Sequence, residues 1–130
     1  MSGSYTAITQ GIEVSVEPFY LDDESRPEES EYIWAYMVEI HNGGSEPVRL
    51  KTRYWQITDA RGRQEEVSGE GVVGEQPVLT PGRSHDYVSG CPLQTPFGSM
   101  EGFYTFHRED GSPIEVRIPF FPLAAPATAH

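Results

Sequence analysis

Apolar and polar residues alternate along most of this chain. Ile12, Val14 and Val16 are separated by Glu13 and Ser15, which places three aliphatic side chains on one face of a strand. The segment YIWAYMVEIHN at 32–42 alternates in the same way and predicts a central strand. The same reading predicts five further strands, at 48–60, around 67, at 85–90, at 102–107 and at 114–120.

Glycine-containing turns separate these strands. Asn42-Gly43-Gly44 tolerates positive φ angles and predicts a tight hairpin after the central strand. The stretches 59–62 (DARG) and 110–111 (DG) predict two further turns. In the segment that starts at 48, Arg53 shares its parity with Trp55 and Ile57, so we expect a bulge or strong twist near Arg53.

No segment of ten or more residues has helical periodicity, and most of the 13 glycines and 11 prolines fall between strands. The fold prediction is therefore all-β, an antiparallel β-sandwich of about seven strands, immunoglobulin-like or fibronectin type III-like. Tyr87 follows Pro81 and Gly82 as at a tyrosine corner, although an ordinary core aromatic explains it equally well. We predict one domain over residues 1–122, and a flexible C-terminal tail over 123–130, LAAPATAH.

Composition narrows the classes of function. The 130 residues carry 20 acidic against 9 basic side chains, a formal net charge of -11. A phosphate backbone would be repelled by that field, so nucleic acid is not an expected partner. The single cysteine excludes an internal disulfide. Because MSGSYTAITQ lacks the features of a signal peptide and no long apolar run follows, we expect a cytoplasmic protein without membrane insertion.

The stretch GEGVVG at 69–74 has the G-x-G-x-x-G spacing of a pyrophosphate-binding loop. That chemistry needs a helix N-terminus after the glycines, and Glu75, Gln76 and Pro77 begin no helix. A tight bend between strands is therefore the favoured interpretation. The alternative keeps Gly69, Gly71 and Gly74 as a nest of backbone N–H groups, with basic charge supplied from the strand that carries Arg53.

Other candidate chemistry is sparse. Four histidines lack the close spacing of a zinc site; they are His41, His85, His107 and His130. The acidic loop at 22–31 lacks EF-hand spacing and would bind divalent cations weakly at most. Cys91 with His85 could be argued as a nucleophile and base, but a buried apolar filler is the commoner role of a lone cysteine. We predict no catalytic residue, no metal site and no cofactor.

Apolar side chains also occur in two predicted loops. They are Val72, Val73, Phe97 and Met100. Such side chains bury surface either against each other or against a partner, so they are candidates for a partner surface.

The chain resembles the ApaG family, also called CorD, of small bacterial proteins. The resemblance covers most of the domain and rests on these motifs: RYWQITD at 53–59, VSGEGVVGEQP at 67–77, LTPG at 79–82, Tyr87 with Ser89-Gly90, Leu93, TPFGSM at 95–100, Gly102, Tyr104, and Ile118-Pro119 with Phe121. It implies a fibronectin type III-like sandwich and an association with cobalt resistance and magnesium efflux. Related eukaryotic domains look like protein-binding modules, and no catalytic residue comes with the family.

These observations predict a noncatalytic binding or adaptor domain that acts through an unidentified protein partner. A pyrophosphate- or nucleotide-binding protein that uses GEGVVG is one alternative. An enzyme of nucleoside polyphosphate metabolism is another.

Overall fold

The computed structural model describes residues 3–126, which contain nine β-strands and two short 3-10 helices. The strands, β1 to β9 in chain order, are Tyr5–Thr9, Ile12–Tyr20, Tyr32–Asn42, Val48–Asp59, Gln64–Glu70, Val78–Leu79, Ser84–Leu93, Phe97–Arg108 and Pro113–Ala124. The helices, Asp22–Glu24 and Pro27–Glu29, lie in the acidic loop between β2 and β3.

The strands form two antiparallel sheets that pack face to face. One sheet has the order β1-β2-β3-β7, and the other has the order β5-β4-β8-β9, with β6 paired to β4. The inward residues alternate along each strand, so Val14, Val38, Leu50 and Phe106 are all fully buried between the sheets. The predicted antiparallel β-sandwich is confirmed.

The two long sides of the sandwich differ. On one side β9 packs against β1 and β2. On the other side the edge strands are β5 and β7, which belong to different sheets. Because no described strand bridges these two edges, the inward side chains of β4, β5 and β7 lie along an open side of the sandwich.

The strand count and one turn differ from the sequence prediction. The two additional strands are β1 and the two-residue β6. Asn42 does not begin a hairpin, because β3 pairs with β2 and β7 while β4 belongs to the other sheet. The Asn42 side chain is buried and its Nδ2 donates to the carbonyls of Glu46 and Leu79, at 2.9 Å each, so it fixes a crossing between the sheets.

The predicted end of the domain is two residues short. Strand β9 continues to Ala124, and Leu123 is fully buried in the core. The Ala125 N–H then donates to the carbonyl of Pro96 at 2.8 Å. A boundary after residue 122 is therefore wrong, and the rest of the predicted tail, residues 127–130, lies outside the described residues.

The bulge predicted near Arg53 is confirmed. The register between β4 and β8 shifts between Leu50 and Thr52. Leu50 and Trp55 both face the core although their parities differ, and Arg53 shares the parity of Trp55. The bulge thus turns an arginine toward the space between the sheets.

Candidate functional site

The GEGVVG segment ends in a tight two-residue turn rather than at a helix. The Val72 N–H donates to the Glu75 carbonyl at 2.8 Å, and the Glu75 N–H donates to the Val72 carbonyl at 3.0 Å. The central residues Val73 and Gly74 have φ angles of 47° and 80°. Positive φ at both positions is the requirement of a type I′ turn. The next regular element is β6, which begins at Val78.

Turn geometry and packing account for the three glycines. Gly71 has φ 65°, and a Cβ there would lie 2.3 Å from the Glu75 carbonyl oxygen. Its N–H donates to the Lys51 carbonyl at 2.8 Å, and so does not face an anion. Gly69 lies within β5, where a Cβ would stand 2.9 Å from the guanidinium of Arg53. The pyrophosphate interpretation stays a prediction, and none of these contacts favours it.

The Arg53 side chain connects this loop to β4 through hydrogen bonds. Its Nη1 donates to the carbonyls of Glu70 and Gly71, both at 3.0 Å. The glycine at 69 gives the guanidinium room to lie against β5. The sequence indicated the bulge that orients Arg53. It did not indicate that Arg53 binds this loop, because the hydrogen-bond acceptors are backbone carbonyls and do not depend on which side chains the loop carries.

The four predicted partner-surface residues do not form one surface. Val72 and Met100 are each 1% exposed and belong to the core, whereas Val73 is 62% and Phe97 is 56% exposed. Glu70 pairs with Thr52 near one end of β4, and Gly98 pairs with Asp59 at the other. Seven residues of strand separate those pairs by roughly 23 Å. Val72 and Met100 are therefore core residues and not part of a partner surface, and Val73 and Phe97 lie at opposite ends of the sandwich.

A hydrogen bond between two tyrosine hydroxyls joins the two sheets near Arg53. The hydroxyl of Tyr87 on β7 hydrogen-bonds to the hydroxyl of Tyr104 on β8. Tyr87 therefore does not make the backbone bond of a tyrosine corner. Burial raises the pKa of the Tyr87, Tyr104 and Tyr36 hydroxyls above the usual value. These phenols stay neutral near pH 7 and serve packing and hydrogen bonding.

Cys91 is not placed for nucleophilic chemistry. It is 2% exposed, and burial raises the pKa of its thiol to about 12. His85 lies six residues away on the same strand, roughly 20 Å along β7. The Glu65 carboxylate raises this pKa further, and a buried thiol of such high pKa is inert near neutral pH.

The described residues include no group of three or more His, Cys, Asp or Glu side chains that could hold a metal ion. The ring Nδ1 of His41 hydrogen-bonds to the Ser84 hydroxyl at 2.7 Å. His130 lies outside the described residues. Between residues 3 and 126, the structure has no helix of the length and apolarity needed to cross a membrane.

A groove of about 520 Å³ opens on the side between β5 and β7. Apolar side chains on its walls include Ile57 from β4 and Leu93 from β7. Charged side chains also line the groove. Four are acidic and one is basic; they are Glu29, Glu31, Asp59, Glu65 and Arg63. The sequence did not reveal this groove, because its walls come from segments far apart in the chain.

Comparisons with known proteins agree on one family. A family model described as the ApaG domain matches residues 22–108. The chain is 58% identical over 122 residues to Protein ApaG of Brucella suis and to that of Brucella anthropi, and the match covers 94% of the chain and 94% of each relative.

Two solved structures resemble the chain over nine-tenths of its length or more. One is the ApaA protein of Bordetella pertussis, with a TM-score of 0.86 and 49% identity over 90% of this chain and 95% of that one. A second X-ray structure has a TM-score of 0.85 and 40% identity, and covers 95% of this chain and 94% of that one.

Proposed function

Because the chain belongs to the ApaG domain family, we propose that it is a noncatalytic binding module that acts through contacts with another protein. We further propose, from the family resemblance, that this module takes part in divalent cation tolerance and that its part there is indirect, through the partner. The buried Cys91 thiol and the neutral tyrosines give no support to the alternative of an enzyme that acts on nucleoside polyphosphates.

Val73 is the observation that carries this proposal. It is an exposed, β-branched residue at a φ of 47°, in the left-handed region that such residues rarely adopt. A strained backbone conformation of this kind costs about 1–3 kcal/mol and tends to occur at functional sites. An apolar side chain held in water at such a cost is typical of a contact residue.

The β1–β2 hairpin provides an internal comparison. Gln10 and Gly11 have φ angles of 49° and 82° and connect β1 directly to β2, so they form the same kind of turn. There the first position carries a polar side chain. The turn geometry therefore does not require valine, and asparagine followed by glycine is the sequence that a type I′ turn prefers.

The test compares Val73→Asn with Gln10→Asn. The first variant relieves backbone strain and removes the apolar side chain, and the second changes an equivalent turn about which the proposal says nothing. We expect Val73→Asn to be at least as stable as the wild type yet to retain much less of the partner proteins that wild type captures from the source-cell lysate. Gln10→Asn keeps that capture.

If Val73→Asn captures as much of the partner proteins as the wild type does, Val73 is not a contact residue. Turnover of nucleoside polyphosphates above the rate in buffer, abolished by heating the protein, would contradict the noncatalytic assignment itself.

A further inference from the structure

Strand β5 has a free edge beside the groove. It is the outermost strand of its sheet among the described residues, and Gln64–Glu70 contains no proline to interrupt backbone pairing. The other edge of this open side, β7, contains Pro92, which has no N–H to donate. The β5 edge is therefore the better template for an additional strand.

The two ends of β5 reach the two features already described. Glu65, near its start, lines the groove. Gly71 follows its last residue and leads directly into the Val73 turn. An extended segment paired along β5 would thus contact the groove at one end and approach Val73 at the other.

The inward face of β5 combines acidic and apolar character. Glu65 and Val67 share this face, opposite the inward side chains of β7. None of the groove carboxylates Glu31, Asp59 and Glu65 takes part in either of the two ion pairs found in the described residues. Arg63 is the one basic side chain among the lining residues, so the groove offers net negative charge beside apolar surface.

Charge also disfavours a second copy of the chain at this edge. Glu65, Glu66 and Glu70 occupy three of the seven positions of β5, and in two antiparallel copies paired along the whole strand Glu66 of one copy is a diagonal neighbour of Glu70 of the other. The whole chain carries -11. A different protein with basic residues is the complementary occupant.

We propose that β5 accepts an extended basic segment of a partner protein as an additional antiparallel strand. A basic side chain of that segment faces Glu65 in the groove, and an apolar side chain faces Val67. This inference rests on the proposed function, because it names the chemistry of the partner and the way in which it binds.

The probe is a heptapeptide written to pair with β5, acetyl-Arg-Thr-Thr-Val-Arg-Arg-Thr-amide. Its valine stands opposite Val67 and its arginines stand opposite Glu65, Glu66 and Glu70. We expect it to shift the backbone amide signals of 64–70 in the isotope-labelled chain. Glu65→Gln should weaken the affinity about two- to fivefold, as expected for one partly exposed charge pair. The matched control is Glu115→Gln, which removes an exposed carboxylate on the outer face of β9.

Two altered peptides separate the contributions. Glutamate in place of the arginines should abolish binding, and N-methylation of alternate peptide bonds should weaken it more than tenfold, because the methyl groups block backbone pairing. Equal affinity of the methylated peptide would overturn strand addition, and shifts confined to Ser84–Leu93 would overturn the assignment to β5.

Absence of binding by the arginine peptide would overturn this inference. It would leave the proposed function standing if lysate partners are still lost from Val73→Asn. If Val73→Asn keeps all lysate partners and Glu65→Gln keeps full affinity for the peptide, both proposals are contradicted.

Discussion

The hydroxyl pair of Tyr87 and Tyr104 gives a sharp test of what joins the two sheets. Tyr104 is fully buried and Tyr87 is half-buried, and each hydroxyl has the other as its partner. Removing one hydroxyl leaves the other without its hydrogen bond, which costs about 1–3 kcal/mol when that group is buried. Removing both leaves no unpaired hydroxyl of this pair.

The two single substitutions should differ in size. Tyr87→Phe leaves the fully buried Tyr104 hydroxyl unpaired, so we expect a loss near the upper part of that range, about 2 kcal/mol. Tyr104→Phe leaves the Tyr87 hydroxyl, which water can still approach, and should cost about 1 kcal/mol. The double variant should cost about 1 kcal/mol, so the coupling between the two sites is about 2 kcal/mol.

Urea unfolding of the four proteins measures this cycle. With an m-value of about 1.5 kcal/mol/M for a domain of this size, Tyr87→Phe should lower the midpoint by about 1.3 M. The m-values should stay equal, which shows that the unfolded state is unchanged. Additive losses in the double variant would refute the reasoning, because they would mean that the two hydroxyls do not depend on each other.

Two further predictions concern backbone and protonation. Gly71→Ala should lower the free energy of unfolding by more than about 2 kcal/mol in thermal or urea unfolding, because its Cβ would lie 2.3 Å from the Glu75 carbonyl oxygen. Gly74→Ala has open space around the new Cβ, so it should lower the free energy of unfolding by only about 1 kcal/mol, for its positive φ. Burial raises the pKa of Cys91 from 9.0 to about 12, so the unfolded chain loses this proton first and the free energy of unfolding falls as pH rises from 9 toward 12. Between pH 8 and pH 10 wild type should lose about 1.4 kcal/mol more than Cys91→Ala, and parallel pH curves for the two proteins would contradict the shift.

The periodicity of the sequence was sufficient for the sandwich and for the bulge. Apolar alternation at 12–16 and 32–42 marks strands whose inward faces form the core, and the parity conflict at Arg53 indicates the irregularity that the β4–β8 register contains. These features are local, because a strand face is fixed by its own residues.

The errors arise where distant segments decide the outcome. Asn42-Gly43 has the chemistry of a hairpin turn, but β3 pairs with β2 and β7 while β4 lies in the other sheet, and so the chain crosses between the sheets after Asn42. The sequence predicts a loop position for Met100, but this residue lies within β8 and faces the core. The groove between β5 and β7 could not be predicted for the same reason, because no local pattern indicates which edge strands face each other across the sandwich.

Glu65 lies near the start of β5 and Val73 lies in the turn that follows its end, and this placement links the two proposals physically. A ligand that touched only Val73 would bury one side chain, which contributes at most about 1.5–3 kcal/mol of hydrophobic free energy and does not meet the cost of association alone. Backbone pairing along Gln64–Glu70 adds hydrogen bonds that depend little on sequence, and the groove carboxylates add selectivity for basic side chains. Specific binding at this side of the sandwich therefore requires a ligand long enough to span β5, and a peptide truncated to the half that faces Glu65 should lose most of its affinity.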